Sequence, residues 1–166
     1  MNGGRPSRRH LTRLSRVWMR DPVYYITTNT HGRAPRLNNV KAHGICREVW
    51  SNCVSLYGWH TGPYVLMPDH AHFFCAPGPA AKSIESFIGK WKEWAAKYLH
   101  RRVGVSVPVW QEEFFDRVLR SEESYSEKLE YMWQNPVRGG LVKDGKEWPY
   151  KGCATDDWLV NELKPF

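Results

Sequence analysis

The chain has 166 residues, which is enough for one domain with an ordinary buried core. Hydrophobic residues make up 42% and charged residues 25%, a balance that excludes an intrinsically disordered chain. No segment reaches the roughly 20 apolar residues of a membrane-spanning helix, so we expect no interaction with a membrane. The formal net charge of +7 favours a polyanionic partner.

Most of this charge lies in residues 1–22, which we interpret as a basic N-terminal arm. Residues 1–20 carry six arginines and no acidic residue, which leaves only +1 for the rest of the chain. Arginines that neutralise phosphates release condensed counterions, so the arm is a candidate DNA-binding segment. A solvated tail without a partner is the alternative. The candidate DNA-binding residues of the arm are Arg5, Arg8, Arg9, Arg13 and Arg16.

The four cysteines indicate a reducing compartment. They include no C-x-x-C pair and no zinc-ribbon spacing, and we expect Cys46 and Cys53 to be buried as small apolar residues. The arm is not followed by the apolar region of a secretory signal. We therefore expect a cytoplasmic protein.

In chain order, the first half of the domain predicts a strand, a helix and two more strands. Residues 23–28 are rich in β-branched and aromatic side chains, which favours a strand. Apolar residues recur with a period near 3.6 over 40–57, which predicts a helix. Residues 64–67 and 70–75 predict two strands joined by a tight Pro-Asp turn.

The next segment predicts a second helix and further strands. Ser83 is a suitable N-cap, and an apolar stripe runs from Ile84 to Tyr98. Residues 105–110 and 114–119 are then the candidates for strands.

A capping-box pattern from Ser124 to Glu127 predicts a last helix that runs towards Asn135 and is ended by Pro136. This order of elements predicts an α+β fold, an antiparallel sheet with helices packed on one face. The domain is expected to span residues 23–150, followed by a C-terminal tail over 151–166.

The strongest local signal for chemistry is His70-Ala71-His72 on a predicted strand. Side chains at i and i+2 share one face of a strand, so both imidazoles point the same way and can hold one metal ion. Ala71 and Phe73 then point to the opposite face, towards the helices. One face of the sheet would be core and the other a site. A structural histidine pair is the alternative.

The second signal is Tyr131 with Asn135, four residues apart on one face of the last predicted helix. A phenol is a poor nucleophile unless a cation or base assists it. A divalent metal held by His70, His72 and the Asn135 side-chain oxygen would leave positions open for a phosphate oxygen. A packing role for Tyr131 is the alternative, and Tyr125 is a rival nucleophile without a ligand-type residue four positions later.

Several basic residues are candidates for phosphate contacts elsewhere in the domain. Lys90, Arg101 and Arg102 lie along and after the second predicted helix. Arg120 and Arg138 flank the last predicted helix and either bind phosphates or form surface salt bridges.

Three separated motifs resemble those of a known protein family. The segment YVLMPDHAHFFCAP resembles the histidine–hydrophobic–histidine (HUH) signature of single-tyrosine transposases. The segments VWQEEFFDRVLRSEES, LEYMWQNPVRGGLV and EWPY resemble the later part of the REP-associated tyrosine transposase branch, which is linked with repetitive extragenic palindromes in bacterial genomes. The resemblance covers roughly residues 23–150.

The resemblance implies a ferredoxin-like α+β domain that acts on single-stranded DNA near palindromic hairpins. His70 and His72 match the family's metal ligands, Asn135 matches the residue that completes the metal site, and Tyr131 matches the nucleophile. The family forms a 5′-phosphotyrosine link, leaves a free 3′-hydroxyl and later rejoins the strands. Mg²⁺ or Mn²⁺ suits two imidazoles and an amide oxygen. A bacterial, nucleoid-associated location follows from the same resemblance.

Two other functions remain open from the sequence. One is a non-catalytic binder of structured DNA or RNA on the same fold. The other is a metal-dependent hydrolase that uses water and does not need Tyr131. Monomer and homodimer are both compatible with the sequence.

Overall fold

The computed structural model describes residues 22–155 and Trp158. Its principal elements are β1 (Val23–Asn29), α1 (Val40–Tyr57), β2 (Trp59–Leu66), β3 (His70–Pro77), α2 (Ile84–Tyr98), β4 (Phe115–Leu119), α3 (Glu122–Trp133), α4 (Asn135–Arg138) and β5 (Lys151–Cys153). The predicted DNA-binding residues of the arm lie outside the described residues; they are Arg5, Arg8, Arg9, Arg13 and Arg16. In the part of the chain that is described, no helix combines the length and apolar character needed to cross a membrane.

The five strands form one antiparallel sheet in the order β4-β1-β3-β2-β5. The first four strands and the helices α1 and α2 follow the β-α-β-β-α-β order of a ferredoxin-like domain. The predicted α+β class and the antiparallel sheet are therefore confirmed. The first residues of the predicted tail, Lys151–Cys153, extend the sheet as its edge strand β5.

The two long helices cover one face of the sheet, as predicted. Both are capped by side chains: Asn39 accepts a hydrogen bond from the Ala42 amide at the start of α1, and Ser83 does the same for Ser86 at the start of α2. Trp50 of α1 and Trp91 of α2 stack with ring centroids 5.1 Å apart. This aromatic stack fixes the two helices against β3, whose alternating residues Ala71, Phe73 and Cys75 are buried beneath them.

The opposite face is not left open for a site, which corrects the prediction of one core face. Helix α3 packs there and buries Tyr125, Leu129 and Met132 against Phe74 of β3 and Tyr25 of β1. The physical reason is that β3 carries both kinds of residue on this face, since Phe74 follows His72 two positions later. Only the histidine end of the strand remains beyond the apolar cluster.

Three local predictions were wrong. Pro136 does not end the last helical segment: α3 ends at Trp133, and Pro136 lies inside α4, in the first turn where no amide donor is needed. Residues 105–110 form no strand among the described residues, apart from an isolated bridge between Trp110 and Thr30, because Pro108 has no N–H to donate to a ladder. Helix α3 begins at Glu122 and not at the predicted capping box, because Ser121 and Ser124 cap each other reciprocally one turn earlier.

The end of the described chain is anchored by Trp158. Its indole is fully buried in the α3 face and its N–H donates to the Tyr125 hydroxyl over 3.1 Å. The indole occupies the space that a side chain at Gly62 would need, since a Cβ there would lie 2.3 Å from the ring. Gly62 is therefore a glycine that makes room for a close approach.

We expect Gly62→Ala to lower the free energy of unfolding by about 1–3 kcal/mol, because the added methyl collides with the buried indole. Gly44→Ala is the matched control: it lies on an exposed turn of α1 with open space around it, and we expect a gain of up to about 1 kcal/mol. Urea denaturation measures both. In a Trp158→Ala background the loss at Gly62 should vanish, and an undiminished loss would contradict the contact.

Candidate active site

Strand register places the two histidines at the open end of the α3 face. His72 lies opposite Thr27 and His70 lies opposite Asn29 of β1. Because side chains two residues apart share a face, both imidazoles point to the side that also carries Phe74 and α3. His72 is 8% exposed, and both side chains lie beyond the apolar cluster under α3.

Both imidazoles are held by hydrogen bonds at the same ring nitrogen. The His70 Nδ1 donates to the Asp69 carboxylate over 2.7 Å, and the His72 Nδ1 lies 2.8 Å from the Thr27 hydroxyl. The two ring centroids are 4.8 Å apart. This arrangement turns Nε2 of each ring into the nitrogen that can coordinate a metal, with the hydrogen-bonded partner fixing the ring orientation.

The surroundings keep both rings neutral at ordinary pH. Burial lowers the pKa of His72 to about 3, and the neighbouring His70 ring, Lys128 and Arg138 act in the same direction. Burial also lowers the pKa of His70, although the Asp69 carboxylate opposes this. A neutral imidazole is the form that binds a metal.

The third predicted ligand shares a cavity with His70. A cavity of about 480 Å³ is lined by His70 and Asp69 on one side and by Asn135, Arg138 and Gly139 on the other. Asn135 is the first residue of α4, which continues the chain directly after α3, with Pro136 in its first turn where no amide donor is needed. The structure therefore brings His70 and Asn135 to one cavity, with His72 beside His70.

Tyr131 is an accessible phenol on α3, and not, as predicted, on one helix with Asn135, which begins α4. Its side chain is 49% exposed, although the residue is not among those that line the cavity. The Arg138 guanidinium lies 3.8 Å from the centre of its ring and also donates to its carbonyl oxygen over 2.6 Å. The rival Tyr125 is fully buried, and its hydroxyl is taken by Trp158. Of these two tyrosines, only Tyr131 is open to a substrate.

One buried aromatic residue, Tyr25, connects Tyr131 with the histidines. Its ring stacks on His72 with centroids 5.3 Å apart and an interplanar angle of 18°. Lys128 lies over both tyrosine rings, 5.2 Å from the centre of Tyr25 and 4.8 Å from that of Tyr131. Burial raises the pKa of Tyr25 strongly, and the Tyr131 phenol raises it further.

The sequence analysis missed Lys128 and Arg117 as members of this site. Lys128 precedes Tyr131 by three residues on the predicted helix, a spacing that could have identified it. Burial lowers the pKa of Lys128, and the cations Arg117 and Arg138 add to the effect. Arg117 lies on β4 opposite Tyr25, so it reaches this face only through strand pairing.

The other predicted basic residues are distributed over both sides of the molecule. Arg138 lies in the site, and Arg120 is exposed between β4 and α3. Lys90 and Arg102 are ion-paired with Glu93 and Glu48 over 2.7 and 2.6 Å. With Arg101, they belong to α2 and the turn after it, on the sheet face opposite to the histidines.

The donor set fits a hard divalent ion with few protein ligands. Among the described residues, no group of three or more His, Cys, Asp and Glu side chains could hold a metal ion. Two anchored imidazoles beside one amide oxygen leave room for water or phosphate oxygens, which suits Mg²⁺ or Mn²⁺. The residues present are therefore compatible with a divalent ion, and its identity stays a prediction.

Comparisons with known proteins agree on one kind of relative. A "REP-associated tyrosine transposase" of Escherichia coli K12 is 22% identical over 150 residues, which cover 88% of this chain and 85% of the relative. A "Putative REP-associated tyrosine transposase" of Haemophilus influenzae is 33% identical over 119 residues, which cover 66% of this chain and 68% of the relative. No family model matches the chain.

Solved structures show the same fold. A REP-associated tyrosine transposase bound to a REP hairpin superimposes with a TM-score of 0.68 and 19% identity, covering 87% of this chain and 82% of that one. A "putative transposase" from Deinococcus radiodurans R1 gives a TM-score of 0.52 at 17% identity, covering 79% of this chain and 95% of that one.

Removing the hydroxyl of Tyr25 tests the geometry of the site. This hydroxyl is buried and has no hydrogen-bond partner among the described residues. We expect Tyr25→Phe to leave the free energy of unfolding unchanged or to raise it by about 1 kcal/mol, because the unsatisfied group is removed. Tyr64→Phe is the control, since the Tyr64 hydroxyl lies 2.7 Å from Nε2 of His43 and its loss should destabilise by about 1 kcal/mol.

Urea titration of both variants measures these changes in the free energy of unfolding. A loss above about 1 kcal/mol for Tyr25→Phe would mean that its hydroxyl is bonded, and the described geometry of the site would be wrong.

Proposed function

Because the chain belongs to the REP-associated tyrosine transposase family and is thereby a transposase-like protein that acts on DNA, we propose that it is a single-strand endonuclease and strand transferase. In this proposal Tyr131 attacks a phosphodiester beside a DNA hairpin. The strand is cut through a 5′-phosphotyrosine intermediate and rejoined by a later attack.

One observation carries this proposal: two cations, Lys128 and Arg138, contact the half-exposed ring of Tyr131. Lys128 also lies over the Tyr25 ring, which stacks on His72. A packing tyrosine would be sealed in apolar contacts, as Tyr125 is. A phenol that is open to solvent can meet a phosphodiester where neighbouring positive charge attracts the phosphate. Lys128 and Arg138 provide such charge at 4.8 and 3.8 Å from the ring centre of Tyr131.

The reaction can be written for this chain's own residues. The Tyr131 oxygen forms a bond to phosphorus, its proton passes to solvent, and the bond from phosphorus to the 3′-oxygen breaks. The departing 3′-oxygen takes a proton from water, and the reverse attack by a 3′-hydroxyl rejoins the strand. One phosphodiester replaces another, so no nucleotide energy source is required.

The cations and the histidine pair have different roles in the proposed reaction. Arg138 stabilises the charge on the reacting phosphate, and Lys128 binds the strand beside it. His70, His72 and Asn135 would hold the divalent ion, and Asp69 and Thr27 keep the imidazoles in the ligating orientation. A bound Mg²⁺ or Mn²⁺ would supply Lewis-acid polarisation of a phosphate oxygen.

The proposed substrate is single-stranded DNA with a palindromic hairpin. The structural relative bound to a REP hairpin supports this choice. Arg138 lines the cavity of the proposed reaction and is assigned to the strand near the cut. Arg120 is exposed between β4 and α3 and is assigned to the flanking DNA. Lys90, Arg101 and Arg102 lie on the other face, where a longer substrate would have to wrap around the domain to reach them.

We expect wild-type protein and Mg²⁺ or Mn²⁺ to convert labelled palindromic oligonucleotides into a denaturation-resistant protein–DNA adduct. Tyr131→Phe removes the nucleophilic oxygen and should abolish both cutting and the adduct. His70→Ala should lower both by at least about 100-fold, because the ion is no longer positioned. Denaturing gel electrophoresis measures the adduct.

Tyr125→Phe is the matched control and should retain the adduct, because the Tyr125 hydroxyl is buried away from substrate. Cutting without an adduct in Tyr131→Phe would favour water as nucleophile. Binding without cutting in the wild type would favour a non-catalytic binder of structured DNA.

A second prediction concerns metal affinity itself. Asp69→Asn weakens the hydrogen bond that orients His70, so we expect the affinity for Mn²⁺ to fall by about 10- to 100-fold. Glu93→Gln, an acid on the opposite side of the molecule, is the control. Mn²⁺ binding is followed by electron paramagnetic resonance without DNA. An unchanged affinity in Asp69→Asn would contradict the proposal that the Asp69 carboxylate orients His70 for metal binding.

A further inference from the structure

Edge strand β4 carries an exposed aromatic side chain whose position no part of the fold requires. Phe115 is 61% exposed, and it pairs with Thr27 across the strands. Thr27 in turn pairs with His72. Residues paired directly across antiparallel strands share a face, so Phe115 lies on the histidine side of the sheet, two strands from His72. With neighbouring strands about 4.8 Å apart, the separation is about 10 Å.

The same edge carries a positive charge, Arg117, on the histidine side. Arg117 pairs with Tyr25 and therefore also points to the histidine side, where it acts on Lys128 of α3. The intervening Asp116 pairs with Ile26, whose side chain is in the core under α1 and α2, so its carboxylate points away. Lys128 has only cations, Arg117 and Arg138, as electrostatic neighbours that shift its pKa.

Cations that lie close together on one face raise the local concentration of anions such as phosphate. An exposed phenylalanine beside such a cluster is the pattern of a single-strand binding surface, where aromatic rings stack on bases and cations follow the phosphates. The distance from Phe115 to the histidine pair is short enough for neighbouring nucleotides of one strand to reach both.

We propose that Phe115, Arg117 and Lys128 form a nucleotide subsite beside the reacting phosphate, in which Phe115 stacks on a base and the two cations bind the adjacent phosphate. The occupant is single-stranded DNA, so this inference rests on the proposed function. The subsite selects for an unpaired base, because a base inside a duplex offers no free face to the ring. It thus assigns to β4 a preference for single-stranded DNA next to the cut.

The test uses oligonucleotides in which 2-aminopurine replaces one base at a time on each side of the cut. Binding is measured in the full-length protein carrying Tyr131→Phe, so that the DNA is not consumed. We expect quenching at one position, restored fluorescence and about tenfold weaker binding when Phe115→Ala is added, and recovery with Phe115→Trp. Leu56→Ala, an exposed apolar residue of α1 on the opposite face, is the control and should change nothing.

The charges are tested by salt dependence. Arg117→Gln and Lys128→Gln should each reduce the slope of log affinity against log salt, and the double variant should reduce it by about 0.7, the value for one phosphate of a single strand. Lys41→Gln on α1 is the matched control, with an unchanged slope expected.

The outcomes separate this inference from the proposed function. If the wild type forms the adduct but Phe115→Ala binds as tightly and quenches as before, the subsite is wrong and the proposed function stands. If Phe115→Ala instead converts a dimer into a monomer in light scattering, Phe115 covers a second copy of the chain and the subsite is overturned. A wild type that neither binds nor cuts single-stranded DNA would overturn both.

Discussion

The pairing register between β1 and β3 is the constraint on which the rest of the site depends. This register places the Thr27 hydroxyl next to the His72 imidazole. It also places Tyr25, two residues before Thr27 on the same face of β1, so that its ring stacks on His72. A slip by one residue would turn both histidines into the helix-covered core and bring Phe73 out. The register is protected because Ala71, Phe73 and Cys75 fill the space under the stacked tryptophans of α1 and α2.

Helix α3 then determines which part of the opposite face is open. Its buried stripe of Tyr125, Leu129 and Met132 lies over Phe74, while Lys128 and Tyr131 occupy the neighbouring stripe at helical spacing. The apolar contact thereby presents a lysine and a phenol on the side of the sheet that carries the histidines. Packing and function are coupled here, since the rotation of the helix that buries Met132 also exposes Tyr131.

The sequence was sufficient for elements with strong periodicity and for motifs within one element. The helix over 40–57, the histidines on a strand and the buried Cys46 and Cys53 were predicted from local pattern alone, and the structure agrees. The segment 105–110 was misassigned because β-branched residues outweighed Pro108 in the interpretation. Lys128 and Arg117 were missed because their convergence needs a strand and a helix from different parts of the chain. The catalytic and metal-binding roles stay predictions.

The central claim is that Tyr131 and a metal held by the histidine pair lie close together, and paramagnetic broadening tests it most directly. With 3-fluorotyrosine in the full chain, the Tyr131 fluorine resonance is assigned by its loss in Tyr131→Phe. On addition of Mn²⁺ we expect this resonance to broaden far more than that of Tyr57, which lies at the end of α1 on the opposite face, and His70→Ala should abolish the difference. A Tyr131 resonance that stays sharp while Mn²⁺ binds through His70 would contradict the account.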